Sequence, residues 1–275
     1  MTDIKRILCN LADVVLPRRC AVCGKFLLAD ERDICLECLC DIPYTHSWND
    51  RDAWLLSLFY YNDVSPYRRL ALSVKYMGNS SLGRRMGRIL GIRTAFSSVR
   101  PHIDIVTPVP LHWRRKWSRG YNQAEEIASG FVDGYRSVAY GGIAETGIAE
   151  ACTVESCTVE AAGPVLARRG GVPSACRQEA DTILLPSLLR RNRHTNSQTK
   201  VGVDSKAGNV RGAFSIGKDR RAFEDLLSRR GHLTVLLMDD TCTTGATLFS
   251  CADALKPYRG KVDVLFAAMA KVRED

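Results

Sequence analysis

The sequence has no run of eighteen apolar residues, about the least that a bilayer-spanning helix needs, so membrane insertion is not expected. It also lacks the apolar core of a signal peptide. Its first stretch, MTDIKRILCNLADVVLP, is broken by Lys5, Arg6, Asn10 and Asp13, while Ile4, Ile7, Leu8, Leu11 and Val15 recur at helical spacing. That pattern predicts a short amphipathic helix and a cytoplasmic protein. Disulfides are disfavoured in a reducing cytosol, so the eleven cysteines read as metal ligands or buried thiols. Acidic residues are in deficit, 30 against 39 Lys and Arg, and the net charge of +9 favours anionic partners. Nucleotides, phosphosugars and nucleic acid all qualify.

The composition is that of a globular chain, 45% hydrophobic and 25% charged. Its 275 residues suffice for one large domain with a small module attached. The module is residues 1–50, an N-terminal helix followed by a cysteine-rich stretch. Residues 51–275 read as an α/β domain with a mostly parallel sheet flanked by helices. Strands are expected at Leu55–Tyr61, Asp104–Thr107, Thr182–Leu185, Leu233–Met238 and Val262–Ala267. Helices are expected at Pro66–Tyr76, Ser81–Phe96, Tyr121–Val132 and Gly245–Leu255. Residues 139–180 read as a disordered insertion, because Glu145, Glu150, Glu155 and Glu160 recur at a period that fits neither a helix face nor a strand face.

Two C-x-x-C pairs, Cys20 with Cys23 and Cys35 with Cys38, are the spacing of a four-thiolate zinc ribbon. A module this small is expected to depend on a structural zinc for folding. Cys40 competes with Cys38 for the fourth place, and the C-x-x-C spacing favours Cys38.

The most specific segment is Leu236–Leu248, LLMDDTCTTGATL. A buried strand ends in Asp239 and Asp240, then small hydroxylic residues lead into a helix. The free N–H groups and positive dipole end of that helix make an anion site. Gly245 permits close backbone approach, and Thr243, Thr244 and Thr247 add hydroxyl donors. Two carboxylates beside an anion site suit vicinal hydroxyls that donate to them, with Mg²⁺ relieving the charge conflict. A ribose 5-phosphate carries both parts. Cys242 lies inside this loop as a space-filling residue or as a thiol activated by the helix end.

This segment resembles the phosphoribosyl pyrophosphate (PRPP) motif of type I phosphoribosyltransferases. The resemblance implies that Asp239 and Asp240 bind the ribose 2′- and 3′-hydroxyls. It places the 5′-phosphate on Thr241, Thr243, Thr244, Gly245, Ala246 and Thr247. Two further stretches, VTPVPLHWRRKWSRGYNQA at 106–124 and LLRRNRHTNSQTKVGVDSKAGNVRGAF at 188–214, resemble the ComF family. Together with the N-terminal cysteines, the likeness covers the chain except 139–180.

For the pyrophosphate, the resemblance points to Leu111 and His112 after the Asp104–Thr107 strand, and to Arg119, Arg191, Arg193, Gln198 and Lys75. The stretch from Arg190 to Arg221 reads as a flexible basic loop able to close over a ligand. No general base is readable, and His112 and His194 are candidates by position alone. Two functions follow. One is phosphoribosyl transfer from PRPP with Mg²⁺ to an acceptor, placed in nucleoside metabolism. The other is a non-catalytic protein of natural transformation, holding single-stranded DNA or a DNA-uptake partner. Trp113, Trp117 and Tyr121 interleave with Arg114, Arg115, Lys116 and Arg119 as single-strand binding requires.

Overall fold

The computed structural model describes residues 17–45, 54–97, 101–139, 182–192 and 212–273. The expected N-terminal helix, the 140–180 part of the insertion, and Arg193, His194 and Gln198 lie outside the described residues.

Five strands form one sheet in the order β1-β7-β6-β2-β3, and every neighbouring pair is parallel. They are β1 (Leu55–Tyr61), β2 (Ile105–Pro108), β3 (Ile183–Leu184), β6 (Leu233–Cys242) and β7 (Val262–Val272). β6 is central and is covered on both faces. Leu236 and Met238 point into one buried cluster, while Leu233, Val235 and Leu237 point into the other. That double burial is why LTVLLM is a continuous apolar run instead of an alternating one. The expected α/β class with a parallel sheet flanked by helices is therefore the observed one.

On the first face lie three helices: α2 (Arg68–Tyr76), α3 (Ser80–Phe96) and α5 (Gln123–Ala139). α3 and α5 meet through a seam of glycines. A β-carbon on Gly87 would overlap the Ile127 carbonyl oxygen, and one on Gly91 would overlap that of Phe131. In return, Gly130 and Gly134 make room for the carbonyl oxygens of Arg84 and Arg88. The spacing of four places the glycines of each helix on one stripe. Backbone-to-backbone contact replaces side-chain interdigitation there.

The cysteine module packs on the same face. Val22, Ile34, Leu39 and Ile42 join the cluster that contains Leu70, Leu82 and Met86. Polar contacts tie the two together. Arg69 donates to the Val22 carbonyl at 3.1 Å, Asn79 to Asp33 at 2.6 Å, and Arg85 to the Arg32 carbonyl at 2.6 Å.

Three elements differ from the sequence reading. Trp113–Arg119 is a short helix, α4, that buries none of its residues. Leu189–Arg191 (β4) and Phe214–Ile216 (β5) pair as an antiparallel ribbon, and Arg220–Arg230 is a helix, α6. The described ends of the supposed basic loop are thus ordered structure, fixed by Leu189, Phe214, Phe223, Leu226 and Leu227 in the second cluster. A last helix, α7 (Ala246–Asp253), follows β6. Among the described residues, no helix is long and apolar enough to cross a membrane.

The glycine seam makes a sharp test. Gly87→Ala should cost about 3 kcal/mol or more in urea denaturation, because helix backbone must move to admit one methyl. Gly83→Ala should be nearly neutral, since the nearest atom to its added carbon, Val74 Cγ1, stands at 3.4 Å.

Candidate functional site

The site sits at the carboxyl ends of β6 and β2, where open parallel sheets bind their ligands. β6 runs past Met238. Asp239 pairs in register with Ala268, and Thr241 with Ala270, so both acids are held on strand backbone. The chain then turns through Thr243 and Thr244, both exposed, into Gly245. Gly245 has φ +76°, and a β-carbon there would lie 2.5 Å from Trp54 Cη2. Trp54 stacks on Phe249 of α7 at 5.1 Å. This aromatic pair backs the turn and leaves only glycine room at its apex. α7 begins at Ala246; its N-cap Gly245 has no side chain to cap it, and Thr244 Oγ1 meets the Ala246 N–H only at 3.5 Å.

From the β2 side, Val109 N donates to the Met238 carbonyl at 2.8 Å, and Asn122 Nδ2 donates to the Val109 carbonyl at 3.2 Å. These two bonds fix the Val109–Leu111 segment between β6 and the start of α5. A cleft of about 190 Å³ opens there. It is lined by Asp239, Asp240, Thr241 and Thr247 from β6 and the turn and helix after it, and by Leu111, Arg115, Arg119 and Gln123 from the segment between β2 and α5. Lys75 from α2 and Arg191 from β4 complete it.

The electrostatics are strongly mixed. Lys75 Nζ lies 3.6 Å from Asp240 Oδ1. Asp239 accepts the N–H of Asp240 at 2.8 Å, yet burial and the charge of Asp240 push its carboxyl up to about 7. Arg191 is held below the usual guanidinium range by burial and by Arg115. A site that strains both its acids and its bases is primed for a ligand carrying hydroxyls for the former and anionic oxygens for the latter.

Of the residues singled out from sequence, Lys75, Leu111, Arg119, Arg191, Asp239, Asp240, Thr241 and Thr247 meet at this cleft. Thr243, Thr244, Gly245 and Ala246 form the adjoining turn. His112 is not among the lining residues. It is buried and caps α4, its Nδ1 accepting the Arg114 N–H at 3.3 Å. Arg115, Asn122 and Gln123 line the cleft without having been chosen as site residues. Asn122 and Gln123 stand within the quoted 106–124 motif, which was the available signal.

The second cluster is the cysteines. The sulfur atoms of Cys20, Cys23, Cys35 and Cys38 all lie within 4.8 Å of one another. Cys23 and Cys35 Sγ are 3.8 Å apart, and two thiolates at about 2.3 Å from one tetrahedral Zn²⁺ stand about 3.8 Å apart. The N–H groups of Val22 and Cys35 point at Cys20 Sγ at 3.4 and 3.3 Å. Burial opposes ionisation of Cys20, but main-chain N–H groups of Cys23, Cys35 and Val22 outweigh it and bring the thiol down to about 7. Burial and the neighbouring sulfurs push Cys38 up. The donor set fits a zinc ion.

The architecture is thus that of a phosphoribosyltransferase-like α/β fold joined to a zinc-ribbon-like cysteine knuckle. No family model matches the chain. Among curated proteins it is similar to "Competence protein F" of Haemophilus influenzae, 22% identical over 196 residues that make up 70% of this chain. The chain spans 63% of that relative's length. The resemblance to the ComF family drawn from the motifs holds on this relative, the cysteine cluster and the parallel sheet together.

The raised pKa of Asp239 has a direct consequence for stability. Unfolded, an aspartate ionises near pH 4, so the folded protein retains a proton that the unfolded chain releases. The associated stability is full below about pH 4 and is lost as pH rises through about 7. Without divalent cations, Asp239→Asn should therefore raise the melting temperature by a few degrees at pH 8 and leave it nearly unchanged at pH 4. Thermal melts at the two pH values check this.

Proposed function

We propose that the cleft binds PRPP with Mg²⁺ and transfers its phosphoribosyl group to an acceptor nucleophile. The observation that carries the proposal is the pair of strand-held acids, Asp239 and Asp240, lining one cleft with Arg115, Arg119 and Arg191 at the strand end that leads into α7. The acids accept hydrogen bonds from the ribose 2′- and 3′-hydroxyls. The Thr241–Thr247 turn and the first N–H groups of α7 receive the 5′-phosphate. Arg115, Arg119 and Arg191, with Lys75, face the pyrophosphate.

Substitution at the anomeric carbon builds positive charge on the ribose ring and negative charge on the departing pyrophosphate. The carboxylates sit nearest the first and the guanidinium groups nearest the second. Asp239 and Asp240 offer the oxygen donors that Mg²⁺ prefers, and the bound ion supplies charge neutralisation of the leaving group. Lys75, paired with Asp240, keeps the acid pair from repelling an incoming anion.

The cysteine knuckle is assigned a structural zinc. Purified protein should carry one Zn²⁺ per chain by metal analysis. Cys20→Ser should lose it and melt well below the wild type, since the knuckle shares its core with α2 and α3.

Asp239→Asn combined with Asp240→Asn should abolish PRPP binding in calorimetric titration, with the fold kept by circular dichroism. Incubation with PRPP, Mg²⁺ and a nucleobase panel should release pyrophosphate. PRPP binding without turnover on any acceptor would instead favour a binding protein.

A second reading has its own observation. α4 buries nothing, and Trp113 and Trp117 are 63% and 87% exposed beside Arg114 and Lys116. Aromatic faces among cations suit the bases and phosphates of single-stranded DNA, in keeping with a competence role in natural transformation. On that reading Trp113→Ala with Trp117→Ala weakens binding of labelled single-stranded DNA at least tenfold and leaves PRPP binding intact. Equal DNA binding by both proteins rules it out.

A further inference from the structure

Gln123, in the cleft, has half of its amide's hydrogen bonding unmet. Gln123, the first residue of α5, lines the cleft beside Arg119 and Arg115 and is only 2% exposed. Its Oε1 accepts a hydrogen bond from Arg119 Nη1 at 3.1 Å. A guanidinium can only donate, so the amide oxygen must face Arg119 and the amide cannot flip. Its other end, Nε2, is buried and has no hydrogen-bond partner. Buried donors without acceptors are rare in folded proteins, because each carries its full desolvation cost. The neighbouring Asn122 shows the contrast, with its amide nitrogen satisfied by the Val109 carbonyl.

We infer that Gln123 Nε2 is a fixed neutral donor for the diphosphate end of the ligand, forming one subsite with Arg115 and Arg119. This assignment rests on the phosphoribosyl reading of the cleft and adds to it a residue and a position. Phosphoryl oxygens are pure acceptors, which is what an orphaned N–H requires, whereas a ribose hydroxyl must share its lone pairs with a proton. Placement selects the diphosphate end over the 5′-phosphate. Gln123 opens α5 four residues after Arg119 and is bonded to it, whereas the 5′-phosphate turn follows β6, a different element of the cleft. Arg119 plays two parts. It faces the anion directly, and its charge on Oε1 polarises the amide and strengthens the N–H opposite. A charge-assisted bond of this kind is stronger than a neutral pair.

The inference predicts that stability and affinity move independently when Gln123 is replaced. Gln123→Met keeps the length of the side chain and deletes both the orphan donor and the acceptor for Arg119. Gln123→Glu keeps an acceptor for Arg119 and turns the far end into a second acceptor that repels phosphate. The full chain is titrated calorimetrically with inorganic pyrophosphate and with ribose 5-phosphate in Mg²⁺ buffer, and each variant is melted. Gln123→Met should melt close to wild type, because the lost Arg119 bond offsets the removed orphan donor, and bind pyrophosphate about tenfold more weakly or worse. Gln123→Glu should lose at least as much. Ribose 5-phosphate affinity should stay the same in both.

Wild-type pyrophosphate affinity in Gln123→Met overturns the assignment, whatever its melting temperature. Equal loss of ribose 5-phosphate binding overturns the placement at the diphosphate end. If Gln123→Met does not fold, Gln123→Glu decides by the same criteria. A wild-type chain that binds neither pyrophosphate nor PRPP overturns the phosphoribosyl reading and this assignment with it. Wild-type PRPP binding with an unaffected Gln123→Met overturns only the assignment.

Discussion

The structure depends on the parallel pairing of β6 between β2 and β7. That strand feeds both buried clusters, Leu236 and Met238 the one and Leu233, Val235 and Leu237 the other. Its carboxyl end is also where all the site chemistry starts. The ladder with β7 continues through Asp239, Thr241 and Cys242, so the backbone that carries both acids is fixed. Two like charges thus stand on adjacent residues of one rigid strand end, close enough for the charge of Asp240 to act on Asp239. The consequences are the raised pKa of Asp239 and the approach of Lys75. Burial energy from the core is stored as electrostatic strain at the rim, which a ligand with hydroxyls and a counter-cation relieves.

The two walls of the cleft are positioned by different means. The acid wall is held by a strand ladder and by the Trp54–Phe249 stack behind Gly245. The basic wall hangs from α4 and α5. α5 is clamped to α3 through the glycine seam, and Asn122 anchors its first turn to the β2 exit. The helix that carries Arg115 and Arg119 is thus exposed and short, but it is bounded on both sides by rigid structure. The cysteine knuckle shares its core with the same helix layer, so its folding bears on the stability of the layer that supports the basic wall.

Much of this was legible in the sequence, for identifiable reasons. LLMDDTCTTGATL combines a buried apolar run, two acids and a small-residue turn, and each step has a local physical meaning. The cysteine spacing was equally direct, because metal geometry dictates it. Less was legible where pairing is remote or where burial leaves no pattern. β4 and β5 are three residues each and pair across a long intervening stretch, so their basic flanks read as loop. α4 buries nothing and gives no periodicity. α6 did carry Phe223, Leu226 and Leu227 at helical spacing, and the surrounding charge masked it. The glycines of α3 and α5 lie at intervals of four; all but Gly134, which falls past the expected end at Val132, stand in segments read as helices, but a glycine stripe identifies no partner until a second helix is seen against it. His112 illustrates the limit on side chains. Its place after β2 matched the motif, while its ring was taken up by capping α4.

The central claim is that the ribose sits on the β6 acids with its phosphates divided between the two walls. A crystal structure of the chain with PRPP and Mg²⁺ tests it most directly. The expected density has the ribose 2′- and 3′-hydroxyls on Asp239 and Asp240, the 5′-phosphate on the Thr241–Thr247 turn and the pyrophosphate against Arg115, Arg119 and Gln123. Density for PRPP at another surface, or ribose hydroxyls turned away from both acids in the cleft, would contradict it.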